Sequence, residues 1–311
     1  MTVCIAAICE GITIYGASDR MITVGDVTEY EPPTSKIVGL TSSIVAMMAG
    51  DMGLQSEIMR ELQDFVNDRV ARKPDEWLRV KDVVEWYVFY YLQAKLKRAE
   101  NEVLIPLGLN RHTYLKEHPD LVAKLAKELI NYEMPGVETI ITGIDTHGGP
   151  HIYVTDGVNI RCSDSSGFAA VGTGAWHASS QFMLARHGFN SPMPETLLRV
   201  YVAKKRAETA PGVGKDTDMF FIGPKIGASS TIRADILVKL DKIYGKLIQG
   251  EKRTLKNAET EMKSHVRRIT RASTKEAQAV APPAAEGGAA PALAAPADSP
   301  GETQPAPPTD N

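Results

Sequence analysis

Two short apolar runs open the chain, Val3 to Ile8 and Ile12 to Ala17, parted by Cys9-Glu10-Gly11. Runs of that length around a glycine-bearing turn predict a β-hairpin. Residues 20 to 35, with Gly25, Asp26 and Pro32-Pro33, read as a loop, and Ile37 to Leu40 and Ile44 to Met48 as a second pair of strands. Gly50-Asp51 then closes the sheet, and Asp51 is placed to cap a helix. Leu54, Ile58, Leu62, Phe65 and Val66 recur at helical spacing until Pro74-Asp75 interrupts them. A second helical stripe carries Val80, Val83, Val84, Tyr87, Val88, Tyr91, Leu92 and Leu96. Pro119 suits the first turn of a third helix bearing Leu121, Val122, Leu125, Leu129 and Ile130.

After Gly136 the pattern turns back to strands. Thr139 to Ile144 and His151 to Thr155 flank His147-Gly148-Gly149-Pro150, a second hairpin signal. Asn159 to Cys162 and Gly167 to Val171 are further strands, and Ala175 to Arg186 and Pro194 to Glu208 are helices. Met219 to Ile222 is a short strand. Ala234 to about Arg271 reads as helix, weakened near Gly245 and Gly250. The order is strands, helices, strands, helices, strand, helix, without regular βαβ repeats. It predicts an α+β fold with two sheets and helices outside them. Residues 1–273 are expected to form one domain, with a helical insertion at about 74–134. From 274 to 311 a tail follows; its last part, 281–311, has no aromatic and no basic residue and a single leucine. Such a segment buries too little apolar surface to offset its ordering entropy, so an unfolded tail is expected.

Composition narrows the functional classes. Of 311 residues, 43% are hydrophobic and 23% charged, and the formal net charge is −3. That balance carries no strong field toward nucleic acid or an anionic membrane. No apolar run is long enough to span a bilayer, and no signal peptide is evident, so a cytoplasmic protein is expected. The three cysteines, Cys4, Cys9 and Cys162, show no CxxC spacing and read as reduced thiols. His112, His118, His147, His151, His177 and His187 are scattered, so no metal or other cofactor is expected.

Candidate chemistry sits at the start. Thr2 follows Met1 directly, and removal of the methionine is favoured by a small second residue. A threonine at the first position of a mature chain can use its own α-amine, which titrates near pH ~8, as the base for its hydroxyl. Lys36 would keep that amine unprotonated by placing a like charge beside it. Asp19 would hold the lysine. Gly50, at a strand-to-helix turn, offers a backbone N–H that an oxyanion can approach closely. Each residue also has an ordinary reading: a second-position threonine, a turn aspartate, a solvated lysine, a connecting glycine.

Taken in order, Thr2-Val3, Gly16-Ala17-Ser18-Asp19-Arg20, Ser35-Lys36-Ile37 and Met48-Ala49-Gly50-Asp51 resemble the proteasome β-subunit family, in the style of the HslV-like bacterial peptidases. Asp19 lies 17 and Lys36 34 residues after Thr2, about one or two more than in that family, and a longer loop between Arg20 and Ser35 absorbs the excess. The resemblance covers about residues 2–72 and 137–250. It implies a four-layer αββα sandwich of the N-terminal-nucleophile (Ntn) hydrolases and a threonine-type endopeptidase. The catalytic residues it implies are Thr2, Asp19, Lys36, Gly50 and Thr173. Thr173, in Gly172-Thr173-Gly174, stands where the family has a serine beside the nucleophile's amine. The family's Asp-x-x-Ser-Gly-Gly loop is reduced here to the glycines of Ala210-Pro211-Gly212-Val213-Gly214-Lys215, which leaves Asp216 or Asp218 as the candidate orienting carboxylate.

The same resemblance implies peptide or unfolded-protein substrates and self-association into a ring of about six or more subunits. A separate ATPase would supply any unfolding, since no P-loop lysine pattern is present. Two other readings stay open: a non-catalytic scaffold of the same fold, and an Ntn amidohydrolase acting on a small amide.

Overall fold

The computed structural model describes the backbone of residues 2–24 and 28–280, and the side chains of 2–23 and 29–273. Gly25 and Asp26, expected in a loop, and residues 281–311, expected to be unfolded, lie outside the described residues. The fold is mixed α/β with several sheets. In chain order it runs β1 (Cys4–Cys9), β2 (Thr13–Asp19), β3 (Ile22–Val24), β4 (Thr28–Tyr30), β5 (Ile37–Gly39), β6 (Ile44–Gly50), α1 (Met52–Arg72) and α2 (Val80–Ala99). It continues with α3 (Pro119–Ile130), β7 (Val137–Ile144), β8 (Pro150–Thr155), β9 (Ile160–Cys162), β10 (Phe168–Val171), α4 (Ala175–Leu184), α5 (Met193–Ala207), β11 (Thr217–Ile222), β12 (Ser229–Thr231) and α6 (Ala234–Val280). Two five-stranded antiparallel sheets have the orders β10-β1-β2-β11-β12 and β5-β6-β7-β8-β9; β3 and β4 form a separate ribbon within the expected 20–35 loop.

Three apolar cores follow from side-chain alternation. One lies between the sheets, where Cys4, Ala6 and Ile8 of β1 and Phe220 and Ile222 of β11 meet Met47 of β6 and Ile140 and Ile144 of β7. The opposite face of β1, with Val3, Ile5 and Ala7, packs on Phe182 of α4, Val200 and Ala203 of α5 and Leu240 of α6. The far face of β6 and β7, with Met48 and Ile141, packs on Leu54, Ile58 and Leu62 of α1 and Val83, Val84 and Tyr87 of α2. Both central strands are therefore buried on two sides, which explains why β1 reads as a continuous apolar run rather than an alternating one.

A local signal accounts for the start of α1. Asp51 accepts a hydrogen bond from Leu54 N at 2.7 Å and caps α1. The stripe of α2 differs from the expected one: Leu92 and Leu96 are exposed, and the buried line runs through Val80, Val83, Val84, Tyr87, Tyr91 and Ala94. Helix α6 runs on through Gly245 and Gly250. A single glycine costs a helix only about 1 kcal/mol, too little to break it.

The chain divides into two compact units, Met1–Leu247 and Ile248–Asn311. In the second, the described residues continue α6, and side chains from Glu251 to Ser273 are exposed. The helix runs to Val280, past the expected tail boundary at 274. No helix among the described residues is long and apolar enough to cross a membrane. Cys4, Cys9 and Cys162 are free thiols.

One buried polar network fixes α1 and α2 to β6 and β7. Gln55 Nε2 donates to Ala49 O at 3.0 Å, Glu138 O at 3.1 Å and Thr139 Oγ1 at 2.9 Å. Tyr87 OH donates to Gln55 Oε1 at 3.0 Å, and Thr139 Oγ1 donates to Tyr87 OH at 2.9 Å. Burial pushes the Tyr87 phenol up to about 12, against the pull of its two hydrogen bonds. Tyr87→Phe is expected to lower stability by about 1–2 kcal/mol, because buried acceptors and donors lose a partner. A urea unfolding midpoint unchanged from wild type would contradict this account of the network.

Candidate active site

The start of β1, the end of β2 and the residue before β5 converge on one point. Thr2 is 2% exposed, Asp19 0% and Lys36 2%. Lys36 Nζ donates to Thr2 Oγ1 and to the Met21 carbonyl, and it reaches both Asp19 carboxylate oxygens at 3.2 Å. Thr2 Oγ1 donates in turn to Asp19 Oδ1. Two charges in so dry a place are costly unless every lone pair and proton is used. Asp19 meets that condition with three backbone donors: Val3 N at 2.9 Å, Met21 N at 2.9 Å and Gly214 N at 3.0 Å.

The turn between β10 and α4 closes the other side of Thr2. Gly174 N donates to Thr2 O at 3.1 Å, and Thr2 N points to Thr173 Oγ1 at 3.4 Å. In the chain as it stands this nitrogen is still an amide joined to Met1. Gly172 has φ +87°, and a Cβ there would fall 2.4 Å from Thr2 O, so only glycine fits.

Gly50 has φ +95°, and an added Cβ would meet Gly136 O at 2.2 Å. Its N–H follows from the ladder. Asp51 N donates to Gly136 O at 3.0 Å, so Gly50 and Val137 form a non-hydrogen-bonded pair and the Gly50 N–H points to the other edge of β6. On that edge β5 has already ended; the last bond is Met48 N to Lys36 O at 3.2 Å. The Gly50 amide is thus left without a ladder partner. Thr2, Gly50 and Thr173 all border one cleft of about 540 Å³. A larger hollow of about 990 Å³, against Leu107, Leu125 and Tyr132 of the helical insertion, shares no residue with it.

Five of the expected residues therefore come together, and neither candidate orienting carboxylate joins them. Asp216 is exposed; its backbone N donates to Glu31 Oε1 at 2.9 Å, and none of its contacts is with Thr2. Asp218 is taken by Arg20, in a fork of 3.0 and 2.6 Å, which raises the arginine's pKa. The loop reaches the site through its backbone instead, by the Gly214 N–H on Asp19. Lys204, fully buried on α5, shapes that loop by donating to Gly214 O at 2.9 Å, Lys215 O at 2.8 Å and Glu208 Oε1 at 2.6 Å. Burial lowers its pKa, which the Glu208 partner opposes. A lysine inside the apolar stripe Val200, Tyr201, Ala203 and Ala207 was the available signal for this role. Glu138 was also missed; its Oε2 accepts from Gly172 N at 2.7 Å and steadies the turn around Thr2. Cys4, the nearest thiol in the chain, is no rival nucleophile. Burial first, and the Asp19 carboxylate second, push its pKa far up and keep it protonated.

A scan against protein-family models and a search of curated proteins find no match to this chain.

Lys36→Met keeps the stem but leaves Asp19 as a buried, unpaired charge. Its expected cost is about 3 kcal/mol or more, and adding Asp19→Asn in the same chain is expected to restore part of it. Urea titration of the two variants checks this; a single variant as stable as wild type would mean that the pair is not buried as described.

Proposed function

We propose that this chain is a threonine-type peptidase of the Ntn class, cutting peptide bonds with Thr2 after loss of Met1. The observation that carries the reading is the Thr2 hydroxyl held between Lys36 Nζ and Asp19 at the edge of a cleft bordered by Gly50, whose N–H has no partner on β7. The order of the three cores, helices on one sheet, sheet on sheet, helices on the other, supports the four-layer αββα arrangement of that class.

With Met1 gone, the Thr2 α-amine takes the hydroxyl proton and Oγ1 adds to the substrate carbonyl. Lys36, held in place by Asp19, sets its ammonium against the Thr2 hydroxyl and so favours the unprotonated amine and the developing oxygen charge. The Gly50 N–H receives the oxyanion. Collapse releases the peptide amine, which takes the proton from the α-amine and leaves an ester on Thr2. Water, deprotonated by the same amine, then frees the acid and restores the hydroxyl. Thr173 Oγ1 orients the amine.

In the same reading, copies of the chain close into a cytoplasmic ring that shields the site, and a separate ATPase feeds it. The exposed Phe89, Leu92 and Leu96 on α2 suit a contact between copies.

Intact mass is expected to show loss of one methionine, and the pure protein to cut fluorogenic peptides and unfolded casein. Thr2→Ala is expected to fold normally and lose activity by a factor on the order of a thousand or more. Turnover by protein that retains Met1 would overturn the mechanism. Turnover of small amides alone would favour the amidohydrolase reading, and no turnover after Met1 loss the scaffold reading.

A further inference from the structure

The Thr2 cleft carries an uncompensated negative charge. Its border includes two carboxylates, Glu138 at the start of β7 and Asp156 just past β8, and no lysine or arginine. Lys36 does not offset them, because Asp19 already neutralises it. The antiparallel register brings the two acids together: Thr139 pairs with Thr155, and one step further out residue 138 stands across from 156. Like charges at opposed positions destabilise a ladder unless a cation joins them. Alternation turns both toward the sheet that carries Thr2, on the side of Ile140 and Val154. Neither has a cationic partner among the described residues. Glu138 takes the Gly172 N–H, and Asp156 takes Asn159 Nδ2 at 2.9 Å, each leaving lone pairs free.

We propose that Glu138 and Asp156 make the site selective for peptides with a lysine or arginine side chain close to the bond that Thr2 attacks. This rests on the peptidase reading above. The rest of the cleft suits such a side chain. Tyr91, Met134 and Val137 supply an apolar wall for an alkyl stem, and the tyrosine ring a face for the cation. A metal ion is a poorer occupant, since no group of three His, Cys, Asp or Glu side chains gathers among the described residues.

The test separates binding from cleavage. Peptide-coumarin substrates carrying lysine, arginine or the neutral isostere norleucine, at the attacked residue or at either of the two before it, are compared by kcat/KM. The cationic peptides are expected to lead by about tenfold or more, as charge-assisted contacts do. Asp156→Asn and Glu138→Gln are each expected to shrink that ratio several-fold, and the double variant to abolish it. The asparagine variant changes an exposed loop residue, so it tests the idea even if Glu138→Gln disturbs the Gly172 turn. In parallel, fluorescence anisotropy on the Thr2→Ala protein compares a labelled lysine peptide with its norleucine twin. Tighter binding of the lysine peptide, weakened by salt and by Asp156→Asn, supports the proposal even if the wild type proves unable to hydrolyse anything. Hydrolysis of all peptides at equal kcat/KM, with equal binding, overturns it and leaves the peptidase reading standing.

Discussion

A buried ion pair organises the working end of this protein. Lys36 and Asp19 lie almost wholly out of water, where each charge alone would be costly. The pair is tolerated because Asp19 collects donors from four separate places: Val3 ahead of β1, Met21 between β2 and β3, the loop at Gly214 and Lys36 itself. That requirement works in reverse as a constraint on the chain. The elements must come together to satisfy the carboxylate, and the Thr2 hydroxyl is drawn into the same knot. On the peptidase reading proposed above, a threonine confined in this way has one side left for a substrate, the cleft bordered by Gly50 and Thr173.

Around this knot the ends of both sheets are shaped by backbone rather than by side chains. The positive φ at Gly172 lets the β10–α4 turn press against the Thr2 carbonyl. The one at Gly50 lets β6 turn into α1 beneath Gly136. Behind Gly50, the Gln55–Tyr87–Thr139 network anchors Ala49, so the helical insertion contributes directly to how firmly that amide is aimed. On the opposite side Lys204 holds the carbonyls of Gly214 and Lys215. That grip presents the Gly214 N–H to Asp19, and the loop contributes without a carboxylate of its own. On the proposed reading these supports are what a preorganised site needs, because small misplacements of a nucleophile or an oxyanion donor are expensive in rate.

Much of the architecture could be read from the pattern of residues. Apolar runs separated by Cys9-Glu10-Gly11 and His147-Gly148-Gly149-Pro150 marked the hairpins, and helical spacing marked α1 and α2, because burial periodicity is a local property. Thr2, Asp19, Lys36, Gly50 and Thr173 were singled out by residue type and order, and the fold brings all five to one place. The ribbon of β3 and β4 was missed. Its two strands are three residues each, Ile22–Val24 and Thr28–Tyr30, too short for a period to stand out from the loop around them.

What the chain alone determined was therefore which segments are strands or helices and which residues carry reactive groups. Only the tertiary structure decided the partners. It left Asp216, which precedes β11, facing solvent, and tied the half-buried Asp218 to Arg20. It also brought Glu138 to the Gly172 amide, a contact across 34 residues, and set it one register step beyond the Thr139–Thr155 pair, opposite Asp156. Local pattern reports how each segment shields itself from water. Which polar groups then meet depends on register and packing between segments, and these are set by the whole fold at once.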